Sequence, residues 1–144
     1  MRPFVSLPPA AMESFVNAGP GHLIIVLEND PRTATALTMF LTDRGYRAVH
    51  GRDVVSVVTA LDGRAGEVKA VLADYNLDHG LTGVDALAQL RALGVKAPAL
   101  LLTGSLRRGA KHRQLTELYP VLEKPVRPER LDAWLRDFAG TEND

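Results

Sequence analysis

The sequence predicts an α/β fold of the doubly wound (βα)5 type, with a five-stranded parallel sheet covered by helices on both faces. Five short apolar runs alternate with stretches whose apolar residues recur at helical spacing, and the connections between them are short. The first run, Leu23-Ile24-Ile25-Val26-Leu27, is apolar throughout instead of alternating, as a strand buried on both faces requires. Strand, helix and parallel strand joined this way form right-handed crossovers. At 144 residues the chain is the size of one domain.

The first twenty-one residues stand apart. Pro3, Pro8, Pro9 and Pro20 interrupt them and Gly19-Pro20-Gly21 closes them, so residues 1–21 read as a leader or linker with at most a turn at Met12 to Val16. The domain proper is expected over residues 22–139, followed by a polar tail at 140–144. Within it, Leu23 to Leu27 is the first strand. Asp30 is a fitting N-cap and Pro31 a fitting first position for a helix that carries Leu37, Phe40 and Leu41 on one side and stops at Gly45. Ala48 to His50 is a weak second strand and Asp53 to Leu61 the second helix. Val68 to Ala73 forms the third strand. A helix from Val84 to Leu93 buries Leu87 and Leu90 and ends at Gly94. Ala97 to Thr103 is the fourth strand, and a polar helix follows from Ser105 to Leu118. Val121-Leu122, within Tyr119 to Glu123, is the fifth strand. The last helix opens at Pro128 and sets Leu131, Trp134, Leu135 and Phe138 on one side.

Composition excludes several function classes. Seventeen Lys plus Arg balance seventeen Asp plus Glu, which argues against a protein that coats nucleic acid or anionic membrane. There is no cysteine, so disulfide scaffolds, thiolate zinc sites and cysteine nucleophiles are ruled out. No apolar run approaches the ~20 residues of a membrane helix, and the proline-broken N-terminus is unlike a signal peptide. A cytoplasmic location is expected. His22, His50, His79 and His112 are scattered without ligand spacing. No phosphate-binding glycine loop and no nucleophile elbow is present.

In a parallel sheet of this kind, ligands bind beyond the carboxyl ends of the strands. The first strand ends in Glu28-Asn29-Asp30, the third in Asp74-Tyr75-Asn76, the fourth in Thr103-Gly104 and the fifth in Glu123-Lys124-Pro125. Carboxylates, a hydroxyl and an ammonium therefore converge on one edge. Their chemistry suits phosphoryl transfer to a carboxylate, with Asp74 as nucleophile. A hard divalent cation such as Mg2+ would take oxygen ligands from Glu28, Asn29, Asp74 and the backbone carbonyl of Asn76. Lys124 would neutralise phosphoryl charge and Thr103 would donate a hydroxyl to a phosphoryl oxygen.

The stretches LIIVLENDP, AVLADYNLDHGLTGVDAL, PALLLTG and VLEKPVRPERL resemble the receiver domains of two-component response regulators, and the last three resemble those of hybrid sensor kinases. The resemblance implies a flavodoxin-like fold and a non-enzymatic signalling module. It implies that Asp74 is the phosphoacceptor, Thr103 the switch hydroxyl and Lys124 the phosphoryl contact, with a cis bond before Pro125. It further implies a sensor histidine kinase or phosphotransfer protein as donor. A downstream partner or a second copy would dock through the fourth helix, fifth strand and fifth helix.

Three features depart from that pattern. Pro31 sets the register so that the usual acidic pair is Glu28 and Asn29, and the amide should weaken Mg2+ binding. Asp30 reads instead as the helix cap, turned away from the pocket. Val121 stands where receivers commonly carry an aromatic switch residue, with Tyr119 on the same face but one pair early. Asp78, His79 and Gly80 lengthen the loop after Asp74 by one residue, and this loop reads as a flexible surface connection. The basic residues Arg107, Arg108, Lys111, His112 and Arg113 read as a solvated helix face. A degenerate receiver that binds partners without phosphorylation is the alternative. An aspartate-dependent phosphatase is disfavoured, because the chain has no substrate-capping insert.

Overall fold

A computed structural model describes residues 21–104 and 110–137. Five strands, β1 (Leu23–Leu27), β2 (Arg47–Gly51), β3 (Val68–Asp74), β4 (Ala99–Thr103) and β5 (Val121–Glu123), pair in parallel in the order β2-β1-β3-β4-β5. Five helices connect or follow them: α1 (Pro31–Asp43), α2 (Val54–Leu61), α3 (Gly83–Ala92), α4 (Ala110–Leu118) and α5 (Pro128–Leu135). The predicted leader before Gly21, the start of the fourth helix at Ser105, Arg107, Arg108, Phe138 and the tail from Gly140 lie outside the described residues, as do the side chains of Lys111 and His112.

The alternation of side chains along each strand divides the core into two layers. Leu23, Ile25 and Leu27 of β1 face a cluster with Val71, Leu101, the α2 residues Val54, Val57 and Leu61, the α3 residues Leu87 and Leu90, and Leu115 of α4. Ile24 and Val26 face the opposite cluster, built with Leu72, Leu100, Leu37 and Leu41 of α1 and Leu131 and Leu135 of α5. Every residue of β1 is buried, which accounts for its uninterrupted apolar run. Trp134 packs at the edge of the second cluster, on the predicted side of α5.

The helix starts follow capping chemistry. Asp30 accepts the Arg32 amide and the Thr33 hydroxyl (2.8 Å), and Pro31 opens α1. The Asp53 side chain accepts the Ser56 amide at 2.8 Å at the start of α2. Thr82 and Asp85 form a reciprocal capping box on α3. That box, written in the sequence as Thr-Gly-Val-Asp, starts α3 at Gly83 instead of the expected Val84. β4 starts at Ala99, two residues later than expected, because Pro98 has no amide for the ladder, although its carbonyl accepts Val71 N at 2.9 Å.

Gly83 shapes the carboxyl edge of the sheet, because α3 begins directly behind Asp74. Its amide donates to the Tyr75 carbonyl at 2.7 Å, and a Cβ at this position would lie 2.5 Å from the Asp74 carbonyl oxygen and 3.1 Å from Leu101 Cδ2. Only glycine lets α3 approach β3 this closely. Gly83→Ala is therefore expected to destabilise the fold by about 1–3 kcal/mol, the range for overpacking, as read by urea unfolding; an unchanged midpoint would contradict the contact.

The Asp53 cap also sets an acid dependence. Its hydrogen bonds to Ser56 hold its carboxyl below the ordinary aspartate range. The unfolded chain thus binds this proton more readily than the native one. The cap's contribution is complete above the unfolded value of about 4 and is lost as pH falls through the lower native value. Asp53→Asn, which keeps an acceptor but does not titrate, is expected to flatten the acid limb of melting temperature against pH; parallel acid limbs would refute this.

Candidate functional site

The carboxyl ends of β1, β3, β4 and β5 bring together Glu28, Asp74, Thr103 and Lys124. All but Lys124 are buried polar groups, an unusual concentration at one edge of an otherwise apolar sheet. Asp74 is still part of the sheet, paired in register with Leu102, so its side chain is fixed by the ladder and not by a loop. Glu28 follows β1, with its amide donating to the Gly51 carbonyl at 3.1 Å. Lys124 leaves β5 with its amide bonded to the Thr103 carbonyl at 2.7 Å, and the Lys124–Pro125 bond is cis, as the resemblance implied.

Lys124 is the centre of the arrangement. Its Nζ lies 2.8 Å from Glu28 Oε1 and 3.1 Å from Asp74 Oδ2, and thus joins three strand ends. The second Glu28 oxygen accepts the Asp30 amide at 3.0 Å, and Asp74 Oδ1 receives the Asn76 amide at a long 3.4 Å. Burial pushes the Glu28 carboxyl up, reinforced by the neighbouring Asp74 charge and opposed by Lys124 and the Asp30 amide. Burial works against the Lys124 ammonium, but its bonds to Glu28 and Asp74 outweigh it and hold its pKa above the usual lysine value. Thr103 is 1% exposed, and its Oγ1 has no hydrogen-bond partner among the described residues. A buried hydroxyl left this way is an unmet polar group at the same edge of the sheet.

Asn29 is half-buried beside this cluster, while Asp30 is exposed and occupied in capping α1, as expected. The loop after Asp74 differs from expectation. It folds into a tight turn at Asp78–Gly80, where His79 (φ 61°) and Gly80 (φ 75°) take the left-handed conformation, and Leu77 N donates to Leu81 O at 2.9 Å. Asp78, read from sequence as part of a plain surface loop, returns to the site instead: its Oδ1 accepts Asn29 Nδ2 at 3.0 Å and its Oδ2 accepts Arg52 Nε at 3.0 Å. The Asn29 bond, opposed by partial desolvation and helped by Arg52, holds the Asp78 carboxyl below its ordinary range. Asp78 and Arg52 were not singled out as site residues in the sequence. Their contacts span 49 and 26 positions, and no local pattern announces them. His50 lies near the same edge, its Nε2 2.9 Å from the Glu28 carbonyl.

The oxygens expected from the sequence to serve a cation are the Glu28 and Asp74 carboxylates, the Asn29 side-chain oxygen and the Asn76 carbonyl. All are hard donors of the kind Mg2+ takes alongside several waters. Among the described residues no group of three or more His, Cys, Asp and Glu is gathered to hold a metal ion. Val121 of β5 and Tyr119, two residues before it, are both partly buried against the first core cluster, so the valine is packed at the position where receivers commonly carry an aromatic. Arg113 is exposed on α4.

No family model matches the chain. The chain is 33% identical over 120 residues to the transcriptional regulatory protein TcrA of Mycobacterium tuberculosis; the match covers 81% of this chain and 45% of that protein. It thus spans less than half the length of that curated relative. In structure it is similar to the chemotaxis protein CheY4 of Vibrio cholerae, with a TM-score of 0.69 at 18% identity over 82% of this chain and 98% of the other. It is also similar to a receiver domain from Methylobacillus flagellatus, with a TM-score of 0.67 at 23% identity over 81% of this chain and 98% of the other. The strand order β2-β1-β3-β4-β5 is that of the same flavodoxin-like architecture. The fold is thus the flavodoxin-like one of these receiver domains, and over most of its length the chain is similar in sequence to part of a transcriptional regulatory protein.

Proposed function

We propose that this receiver accepts a phosphoryl group on Asp74 from a phosphohistidine donor, in a sensor kinase or a phosphotransfer protein, and signals by protein contact. The observation that carries the reading is the Lys124 ammonium, 3.1 Å from Asp74 Oδ2, at a sheet edge that also holds the buried Thr103, whose hydroxyl has no hydrogen-bond partner among the described residues. An Asp74 carboxylate oxygen attacks phosphorus, the P–N bond breaks, and the imidazole leaves with the electron pair. The product is an acyl phosphate. Lys124 holds charge against the transferring oxygens, and Thr103 supplies the hydrogen-bond donor that now lacks an acceptor. Mg2+, held by Glu28, Asn29, Asp74 and the Asn76 carbonyl, would supply further neutralisation of phosphoryl charge.

Output would pass through α4, β5 and α5. β5 is one of the two edge strands of the sheet and only three residues long, and a hollow of about 600 Å3 beside it is lined by Thr116, Val121, Lys124 and Arg130. With Val121 packed at the usual aromatic position, rearrangement of the loop after Thr103 and of α4 would carry the signal. Among the described residues no helix is long and apolar enough to cross a membrane. The amide at Asn29 favours the alternative, a receiver that binds its partner without phosphorylation. That alternative requires Asp74→Ala to leave partner binding unchanged.

The charge balance in the pocket is testable without any ligand. Two carboxylates face one ammonium, and Glu28 has a fully buried side chain. Lys124→Met should therefore cost about 2 kcal/mol by leaving buried charge unpaired, and adding Asp74→Asn should recover part of that loss in urea unfolding. A double variant no more stable than Lys124→Met would show that carboxylate repulsion is negligible.

Phosphorylation itself is read by intact mass after incubation with acetyl phosphate and Mg2+. The expected result is one added phosphoryl group on the native chain and none on Asp74→Ala. A native chain that gains nothing at any Mg2+ concentration would leave the phosphorylation-independent module as the better reading.

A further inference from the structure

We infer that Asp78 is a positioning residue that sets the Asn29 amide for cation binding, with Arg52 holding Asp78 in place. The inference rests on the proposed cation site and assigns to two residues outside it the task of making Asn29 usable.

Replacing a carboxylate by an amide at a metal position has two consequences. One negative charge is lost. In addition, the two terminal atoms are no longer equivalent: Oδ1 can ligate a cation, whereas Nδ2 carries two hydrogens and repels one. An aspartate has no wrong way round, but an asparagine does. In this structure the choice is made by Asp78, whose Oδ1 accepts Asn29 Nδ2 at 3.0 Å. An ionised carboxylate can only accept, so the reversed amide would set oxygen against oxygen. The bond turns the amide nitrogen toward Asp78 and its carbonyl oxygen the opposite way. Among the described residues no hydrogen-bond donor occupies that oxygen.

Arg52 completes the device. Its Nε and Nη2 both lie 3.0 Å from Asp78 Oδ2, which leaves Oδ1 for Asn29 and compensates the carboxylate charge. Asp78 therefore contributes orientation more than field. Partners of metal ligands elsewhere act the same way, by fixing which atom of a ligand faces the ion.

The test is Mn2+ binding to the full chain, followed by the EPR signal of free Mn2+, in a cycle of Asp78→Ala and Asn29→Asp. Asp78→Ala is expected to weaken Mn2+ binding about tenfold in the native background. With Asn29→Asp in place the loss should be several-fold smaller, since a carboxylate at position 29 needs no orienting. An equal or larger loss in the Asn29→Asp background would mean that Asp78 acts by charge alone, and would overturn the inference while leaving the cation site standing. No loss in either background would overturn it as well. A native chain that takes up no Mn2+ would remove the cation site and the inference together.

Discussion

The bond network of Lys124 is the constraint on which the functional edge depends. One ammonium holds two carboxylates that the sheet would otherwise force together, because β1 and β3 are adjacent and Glu28 and Asp74 stand at their ends. Like charges in a buried setting repel strongly, and each carboxylate also loses hydration. The lysine can serve both only because β5, three residues long, is pinned at its end by the Lys124 amide on the Thr103 carbonyl. The backbone bond and the ion pairs thus reinforce one another. The residues that make this edge electrostatically costly are the same ones that, on the proposed reading, would receive a phosphoryl group and a cation.

Most of the architecture could be read from the chain because it rests on local or periodic signals. The unbroken run of β1, the Asp30-Pro31 helix start and the Leu131, Leu135 spacing of α5 each depend on residues within a few positions of one another. Pro98 and the Thr82–Asp85 box moved boundaries by one or two residues, through backbone chemistry that was also present in the sequence. Glu28, Asp74, Thr103 and Lys124 could be brought together because a parallel sheet gathers the carboxyl ends of its strands. That rule places strand ends but not loops.

Asp78 shows where the rule stops. Its position depends on two successive left-handed residues, His79 and Gly80, and on an arginine that follows β2 at the far side of the sheet order. Glycine at φ > 0 is easily anticipated; histidine there is uncommon, and a single sequence offers no reason to expect it. Polarity made the segment look like an ordinary solvated loop. Its polar groups are instead paired with partners remote in the chain, and that pairing is a property of the folded molecule alone.

The amide at Asn29 can then be understood as a change in two separable quantities, charge and direction. The charge is not restored locally, since Arg52 offsets what Asp78 adds. The direction is what Asp78 can set, because a carboxylate tied down on its other oxygen accepts only from the nitrogen end of the amide. A site altered in this way would hold a cation more weakly than an acidic pair while keeping the oxygen correctly placed. That is a different condition from a site whose ligand is simply missing, and it separates a receiver tuned to weak cation binding from one that has lost the capacity altogether.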